Sequence, residues 1–199
     1  MSQTPHGLLP ARFERWFVGL LRPVAARLSA AGVSADVITF LSLLFGLVAG
    51  GLISVNQLRW ALLPGVLMAC CDILDGQIAQ HARRARPFGA ILDSSLDRYT
   101  EFLILGGLGV HFYLHGEPWW IIVVALAMAG SFEVSYIKAR AEGAGKSCSV
   151  GLLQRSERLV LIGLGLLFAG CVLKAILVFL AMFTHYTAVE RLIYLRKTD

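Results

Sequence analysis

The chain is 199 residues long, 57% of them hydrophobic and only 16% charged, with a mean hydropathy of +0.69. A soluble globular domain is nearer half apolar and a quarter charged, so this composition excludes an ordinary water-soluble enzyme and indicates a one-domain integral membrane protein. The formal net charge of +5 says less than its placement along the chain, and no nucleic-acid partner is expected.

Residues 8–30, "LLPARFERWFVGLLRPVAARLSA", carry apolar residues on one helical face and arginines elsewhere. The pattern predicts an amphipathic helix in the membrane interface, its arginines near anionic headgroups, with Pro10 opening it and Pro23 bending it. Arg12, Glu14 and Arg15 interrupt the early apolar run, so no cleavable signal peptide is expected. Gly32 would end this helix, and Ser34 or Asp36 would cap the next.

Six apolar segments follow, near 33–55, 58–79, 89–114, 118–141, 151–170 and 172–194. Each reaches or approaches the ~20 residues that cross ~30 Å of hydrocarbon. The expected fold is therefore all-α and integral to the membrane: six transmembrane helices in a domain over 33–199, preceded by a juxtamembrane amphipathic segment over 1–32. An even number of crossings puts both termini on one side. That side holds all of the 18 Lys and Arg residues except Arg59 and Lys174, which by the positive-inside rule makes it the cytoplasmic side of a bacterial-type cytoplasmic membrane. Small residues such as those of "LFGLVAGG" and "ILGGLGV" are expected to let helices approach closely. Cys70, Cys71, Cys148 and Cys171 have no metal-ligand spacing and are expected to be reduced packing residues.

One stretch breaks the apolar pattern: "DILDGQIAQHARRARPFGAILDSSLDR", Asp72 to Arg98. Asp72 and Asp75 are three apart, and Asp93 and Asp97 four apart, so each pair shares a helical face. The first pair ends one predicted helix and the second begins the next. An antiparallel arrangement would bring the four carboxylates to one depth at the cytoplasmic side. Carboxylates gathered at low dielectric need a cation. A donor set of oxygens without His or Cys suits Mg²⁺, Mn²⁺ or Ca²⁺ rather than zinc. Gly76 and Gly89 would leave room for a ligand or a helix.

The run Asp72-x-x-Asp75-Gly76-x-x-Ala79, then Gly89-x-x-x-Asp93-x-x-x-Asp97, resembles the signature of the CDP-alcohol phosphotransferases. Gln80 departs from it, standing where that family has an arginine near the nucleotide diphosphate; Arg83, Arg84 or Arg86 would have to substitute. The resemblance implies a six-helix fold and transfer of a substituted phosphate from a CDP-linked donor to an alcohol, with release of CMP. It implies that Asp72, Asp75, Asp93 and Asp97 bind Mg²⁺ or Mn²⁺ and that Asp97 is the general base. Gly76, Ala79, Gln80, Arg83 and Gly89 fall on the donor side of the site. Ser34, Asp36 and Thr39 resemble the polar start of the first membrane helix that borders the nucleotide. The family is commonly dimeric, which implies a homodimer.

The acceptor is read from "SYIKARAEGAGKSCSVGLLQRSERLVLI", Ser135 to Ile162. Lys138 and Arg140 lie at one helix end, and Arg155 and Arg158 share a face of the next. A basic pocket of this kind suits an anionic acceptor such as a phosphorylated polyol. The stretch resembles the phosphatidylinositol-phosphate synthase branch, although Gln154 and Ser156 depart from its Glu-Arg-Pro-Glu-Arg run. That resemblance implies CDP-diacylglycerol as donor and inositol phosphate held by Lys138, Arg155, Arg158 and Arg191. Glycerol 3-phosphate is the alternative acceptor, being a phosphate monoester too. A membrane ion transporter is the alternative from another class. It fits less well, since the aspartates gather at one face and no repeated halves or midplane breaks are visible.

Overall fold

The computed structural model describes residues 11–81 and 87–198. The described residues are helical, with no strand among them: α1 Ala11–Ala30, α2 Ala35–Ser54, α3 Leu62–His81, α4 Pro87–Leu114, α5 Trp120–Gly143, α6 Arg155–Phe168 and α7 Gly170–Lys197. Four of them, α2, α3, α5 and α7, are long and apolar enough to cross a membrane. The protein is a membrane protein. The described helices divide into two compact units, one within residues 11–111 and one within residues 112–198.

In the first unit, α1 ends at Gly32, whose φ of +78° places it in the left-handed region. The Val33 amide donates to the Leu28 carbonyl and the Gly32 amide to that of Ser29, each at 3.0 Å. This is the paired closure that glycine permits at a helix end. Two residues later Ser34 caps α2, its Oγ accepting from the Val37 amide at 3.4 Å. The chain thus turns from α1 into α2 within four residues. Ala25 of α1, Ile38 of α2 and Cys71, Leu74 and Ile78 of α3 then bury one another. Gln77 of α3 adds a hydrogen bond from Nε2 to the Val18 carbonyl of α1 at 3.0 Å. Arg15, Arg22 and Arg27 of α1 are exposed, and so are Trp16, Leu20 and Val24.

The segment Pro87–His111 of α4 packs against α2 through glycines. A Cβ on Gly50 would collide with the Leu103 carbonyl, and one on Gly107 with the Gly50 backbone. Backbones in such contact gain dispersion energy that side chains would otherwise hold apart. Pro87 opens α4, where a missing amide proton costs nothing.

In the second unit, α5 packs on α7 and α6 on α7. A capping box between Gln154 and Glu157 starts α6, satisfying amides at both positions. Ala169 and Gly170, with φ of +53° and +50°, break α6 from α7. These two devices cut α6 to 14 residues, about 21 Å at 1.5 Å per residue. That is shorter than the apolar segment 151–170 read from sequence. Away from this region, Glu117 pairs with Lys174, whose ammonium also lies 5.4 Å from the centre of the Trp120 ring. The four cysteines are free thiols.

Candidate active site

The first unit contains a cavity of about 600 Å³, a size that holds a small-molecule ligand. Three helices build it. Ser34, Asp36 and Thr39 come from the start of α2, Asp75, Gly76 and Ala79 from α3, and Gly89 and Asp93 from the start of α4, with Ser29 and Gly32 closing it from the α1 end. Of the donor-side residues expected from sequence, six line this cavity: Ser34, Asp36, Thr39, Gly76, Ala79 and Gly89. Gln80 is exposed and does not line it. Arg83, with Arg84 and Arg86, lies outside the described residues.

The carboxylates are held in two rungs. Thr39 Oγ1 donates to Asp75 Oδ2 at 2.8 Å, and Ser42 Oγ donates to Asp72 Oδ1 at 2.7 Å. Thr39 and Ser42 are three apart on α2, as Asp72 and Asp75 are on α3, so two antiparallel helices match hydroxyl to carboxylate one turn apart. Ser42 was not anticipated as a site residue. The signal that would have found it is this repeated spacing of three. Asp75 is 4% exposed and lies within electrostatic reach of both Asp72 and Asp93. Asp72 and Asp97 are half-buried and do not line the cavity. The backbone carbonyl of Asp97 accepts from Thr100 Oγ1 at 2.8 Å.

Among the described residues, no group of three or more Asp, Glu, His or Cys side chains is arranged to hold a metal ion as it stands. The chemistry of the donor set nonetheless fits a hard divalent cation. Asp75 lies within electrostatic reach of Asp72 and Asp93, and carboxylate oxygens are the donors that Mg²⁺ and Mn²⁺ prefer. Gly76 fits a ligand as well: a Cβ there would meet nothing within 4 Å, so its missing side chain leaves the cavity wall open.

The acceptor-side residues expected from sequence lie in the second unit and differ in exposure. Arg158 is 1% exposed and Arg191 is 3% exposed. Arg191 Nε donates to the Val150 carbonyl at 2.8 Å and a terminal nitrogen to that of Val134 at 2.6 Å. Arg158 donates to the Leu153 carbonyl at 3.2 Å and to Ser135 Oγ at 3.4 Å. The Leu153 amide in turn donates to Thr187 Oγ1 at 3.3 Å. The two guanidiniums therefore fasten the segment between α5 and α6 to α5 and α7. Arg155 is half-buried. Lys138 is exposed, 3.9 Å from Glu142 on its own helix.

Residues 32–187 match the CDP-alcohol phosphatidyltransferase family. The phosphatidylinositol phosphate synthase of Streptomyces avermitilis is 35% identical over 159 residues, covering 78% of this chain and 65% of that protein. The archaetidylinositol phosphate synthase of Methanothermobacter thermautotrophicus is 31% identical over 180 residues, covering 86% of each. The crystal structure of the Mycobacterium tuberculosis phosphatidylinositol phosphate synthase with CDP-DAG bound superposes with a TM-score of 0.76 at 28% identity, covering 86% of this chain and 90% of that one. The structure of the same enzyme in complex with manganese and citrate gives 0.77.

Proposed function

Since the chain belongs to the CDP-alcohol phosphatidyltransferase family, we propose that it transfers the phosphatidyl group of CDP-diacylglycerol to a hydroxyl of inositol phosphate and releases CMP. The observation that carries this reading is the cavity in which Asp75, Asp93 and Gly76 meet the start of α2. It is supported by a similar fold that binds CDP-DAG and by two relatives whose names share an inositol phosphate product.

In this reading Asp72, Asp75, Asp93 and Asp97 hold Mg²⁺ or Mn²⁺, in keeping with the manganese complex of the neighbouring enzyme. When bound, the cation neutralises the donor diphosphate and stabilises charge developing on the departing CMP. Ser34, Asp36, Thr39, Gly76, Ala79 and Gly89 form the donor wall, where the absent side chain of Gly76 lets the nucleotide lie against α3. Gln80 and Arg83 complete the donor side of the motif. Asp97 takes the proton of the attacking hydroxyl. The new bond joins that oxygen to the phosphorus bearing the diacylglycerol, and the bond from that phosphorus to the CMP oxygen breaks. Lys138, Arg155, Arg158 and Arg191 supply cationic donors for the acceptor phosphate.

The same reading takes the membrane domain as 33–199 with six crossings, α4 and the whole segment 151–170 that contains α6 joining the four apolar helices, and residues 1–32 as a juxtamembrane segment. The exposed Trp16, Leu20 and Val24 of α1 suit an interfacial helix resting on lipid. Both termini and the carboxylate cavity then face the cytoplasm, a reading supported by the distribution of basic residues, and the enzyme acts as a homodimer.

The test is CMP release from CDP-diacylglycerol and Mg²⁺ with myo-inositol phosphate, free inositol, glycerol 3-phosphate or serine as acceptor. Inositol phosphate should give the highest kcat/KM. Preference for glycerol 3-phosphate would reassign the acceptor. Ion flux in liposomes without CMP release from any acceptor would replace the enzyme reading with a transporter.

A further inference from the structure

We infer that Ser42 is a positioning residue for the metal site, fixing Asp72 as Thr39 fixes Asp75, and that these two hydroxyls set the affinity of the carboxylates for a divalent cation. The inference rests on the metal reading given above and extends it to a residue that lies outside the signature.

Ser42 is 2% exposed and Thr39 4% exposed, so neither hydroxyl has bulk water as a partner. Each has one proton to give and two acceptors near it. Ser42 Oγ is 2.7 Å from Asp72 Oδ1 but 3.4 Å from the Met68 carbonyl. Thr39 Oγ1 is 2.8 Å from Asp75 Oδ2 and 3.0 Å from the Ala35 carbonyl. In both cases the carboxylate is the nearer acceptor, and a bond to a charged oxygen is the stronger. A carboxylate fixed at one oxygen can no longer rotate freely about its last side-chain bond. Its other lone pairs then keep one direction, and ligand ordering that a metal would otherwise have to impose is already in place. Hydrogen bonds that orient ligands in this way commonly change metal affinity by about 10–100-fold when removed. Packing alone does not explain the pairing, because a small apolar residue would fill the same space without an unmet donor.

The experiment is a titration of the purified full-length protein with Mn²⁺, following free Mn²⁺ by electron paramagnetic resonance, with thermal unfolding measured in parallel. Ser42→Ala should weaken Mn²⁺ binding by about 10–100-fold, and Ser42→Thr, which keeps the hydroxyl, should hold affinity near wild type. In an Asp72→Asn background, Ser42→Ala should weaken binding no further, since the hydroxyl acts through that carboxylate; a merely structural role would give additive losses. Should Ser42→Ala fail to fold, Thr39→Ala asks the same question of Asp75. Wild-type affinity in Ser42→Ala, or in Thr39→Ala, overturns the inference. Absence of Mn²⁺ binding by the wild-type protein overturns the metal reading, and this inference with it.

Discussion

Thr39 donates its hydroxyl to the Asp75 carboxylate at 2.8 Å, and that bond joins the start of α2 to the later turns of α3 beside the cavity. A buried carboxylate is tolerable in a membrane protein only with such partners or a cation. The site therefore combines fixed hydroxyl donors with a cluster of like charges that a metal and a diphosphate would complete.

The acidic residues on α4 carry the chemistry in this account. Asp97→Asn should lower kcat by about 10²–10⁴-fold, the usual worth of a general base, with the unfolding temperature maintained. Asp93→Asn should lose turnover nearly completely and retain its fold. Wild-type CMP release from both variants would remove these residues from the mechanism.

Chelation gives a second check. EDTA should abolish CMP release, and excess Mg²⁺ or Mn²⁺ should restore it, because the donors are hard oxygens. Zn²⁺ should restore little. Full activity after exhaustive chelation would contradict the metal assignment.

Gly76 separates stability from activity. A Cβ there meets no protein atom within 4 Å, and glycine within a helix costs about 0.8–1 kcal/mol relative to alanine. Gly76→Ala should leave the unfolding temperature unchanged or raised, while the KM for CDP-diacylglycerol rises at least tenfold. An unchanged KM would mean that the donor does not approach α3 at this point.

The α2–α4 contact predicts the opposite behaviour for a different glycine. Gly50→Ala drives a Cβ into the Leu103 carbonyl and should cost about 1–3 kcal/mol, the usual penalty of overpacking. Gly51→Ala meets nothing within 4 Å and should be neutral or stabilising. Thermal unfolding of the two neighbouring variants compares them directly.

Arg191 serves two carbonyls, those of Val150 and Val134. A lysine offers one ammonium where the guanidinium offers a fork. Arg191→Lys should therefore destabilise the protein by about 1.5–3 kcal/mol and raise the KM for inositol phosphate more than that for the donor. A variant with wild-type stability would show that the fork is not needed there.

Helix positions were legible in the sequence because each has a local cause. Gly32 and Ser34 punctuate α1 and α2, and the apolar runs agree with α2 to α5 and α7 within a few residues. The division between α6 and α7 was placed within two residues of the backbone break at Ala169 and Gly170, but the start of α6 at Arg155, four residues inside the expected segment 151–170, was not legible, because the capping pair Gln154 and Glu157 lies within an otherwise continuous run. The carboxylate pairs were legible because helical spacing of three and four is visible in one dimension. Of their two hydroxyl partners, Thr39 was named but Ser42 was not: a serine in an apolar helix reads as packing until α3 is laid beside α2. Arg155, Arg158 and Arg191 stood out in the sequence by type and spacing as acceptor-side candidates, but the burial of Arg158 and Arg191 against backbone carbonyls depends on the three-dimensional path of residues 144–154. Gln80, the one departure from the signature, is exposed and outside the cavity wall.

The central claim is the identity of the reaction. It is tested most directly by mass spectrometry of the lipid formed when the purified protein meets CDP-diacylglycerol, Mg²⁺ and equal concentrations of myo-inositol phosphate and glycerol 3-phosphate. The account predicts phosphatidylinositol phosphate as the dominant product, with CMP formed in equal amount. Phosphatidylglycerol phosphate as the dominant product, or no new phospholipid from either acceptor, would contradict it.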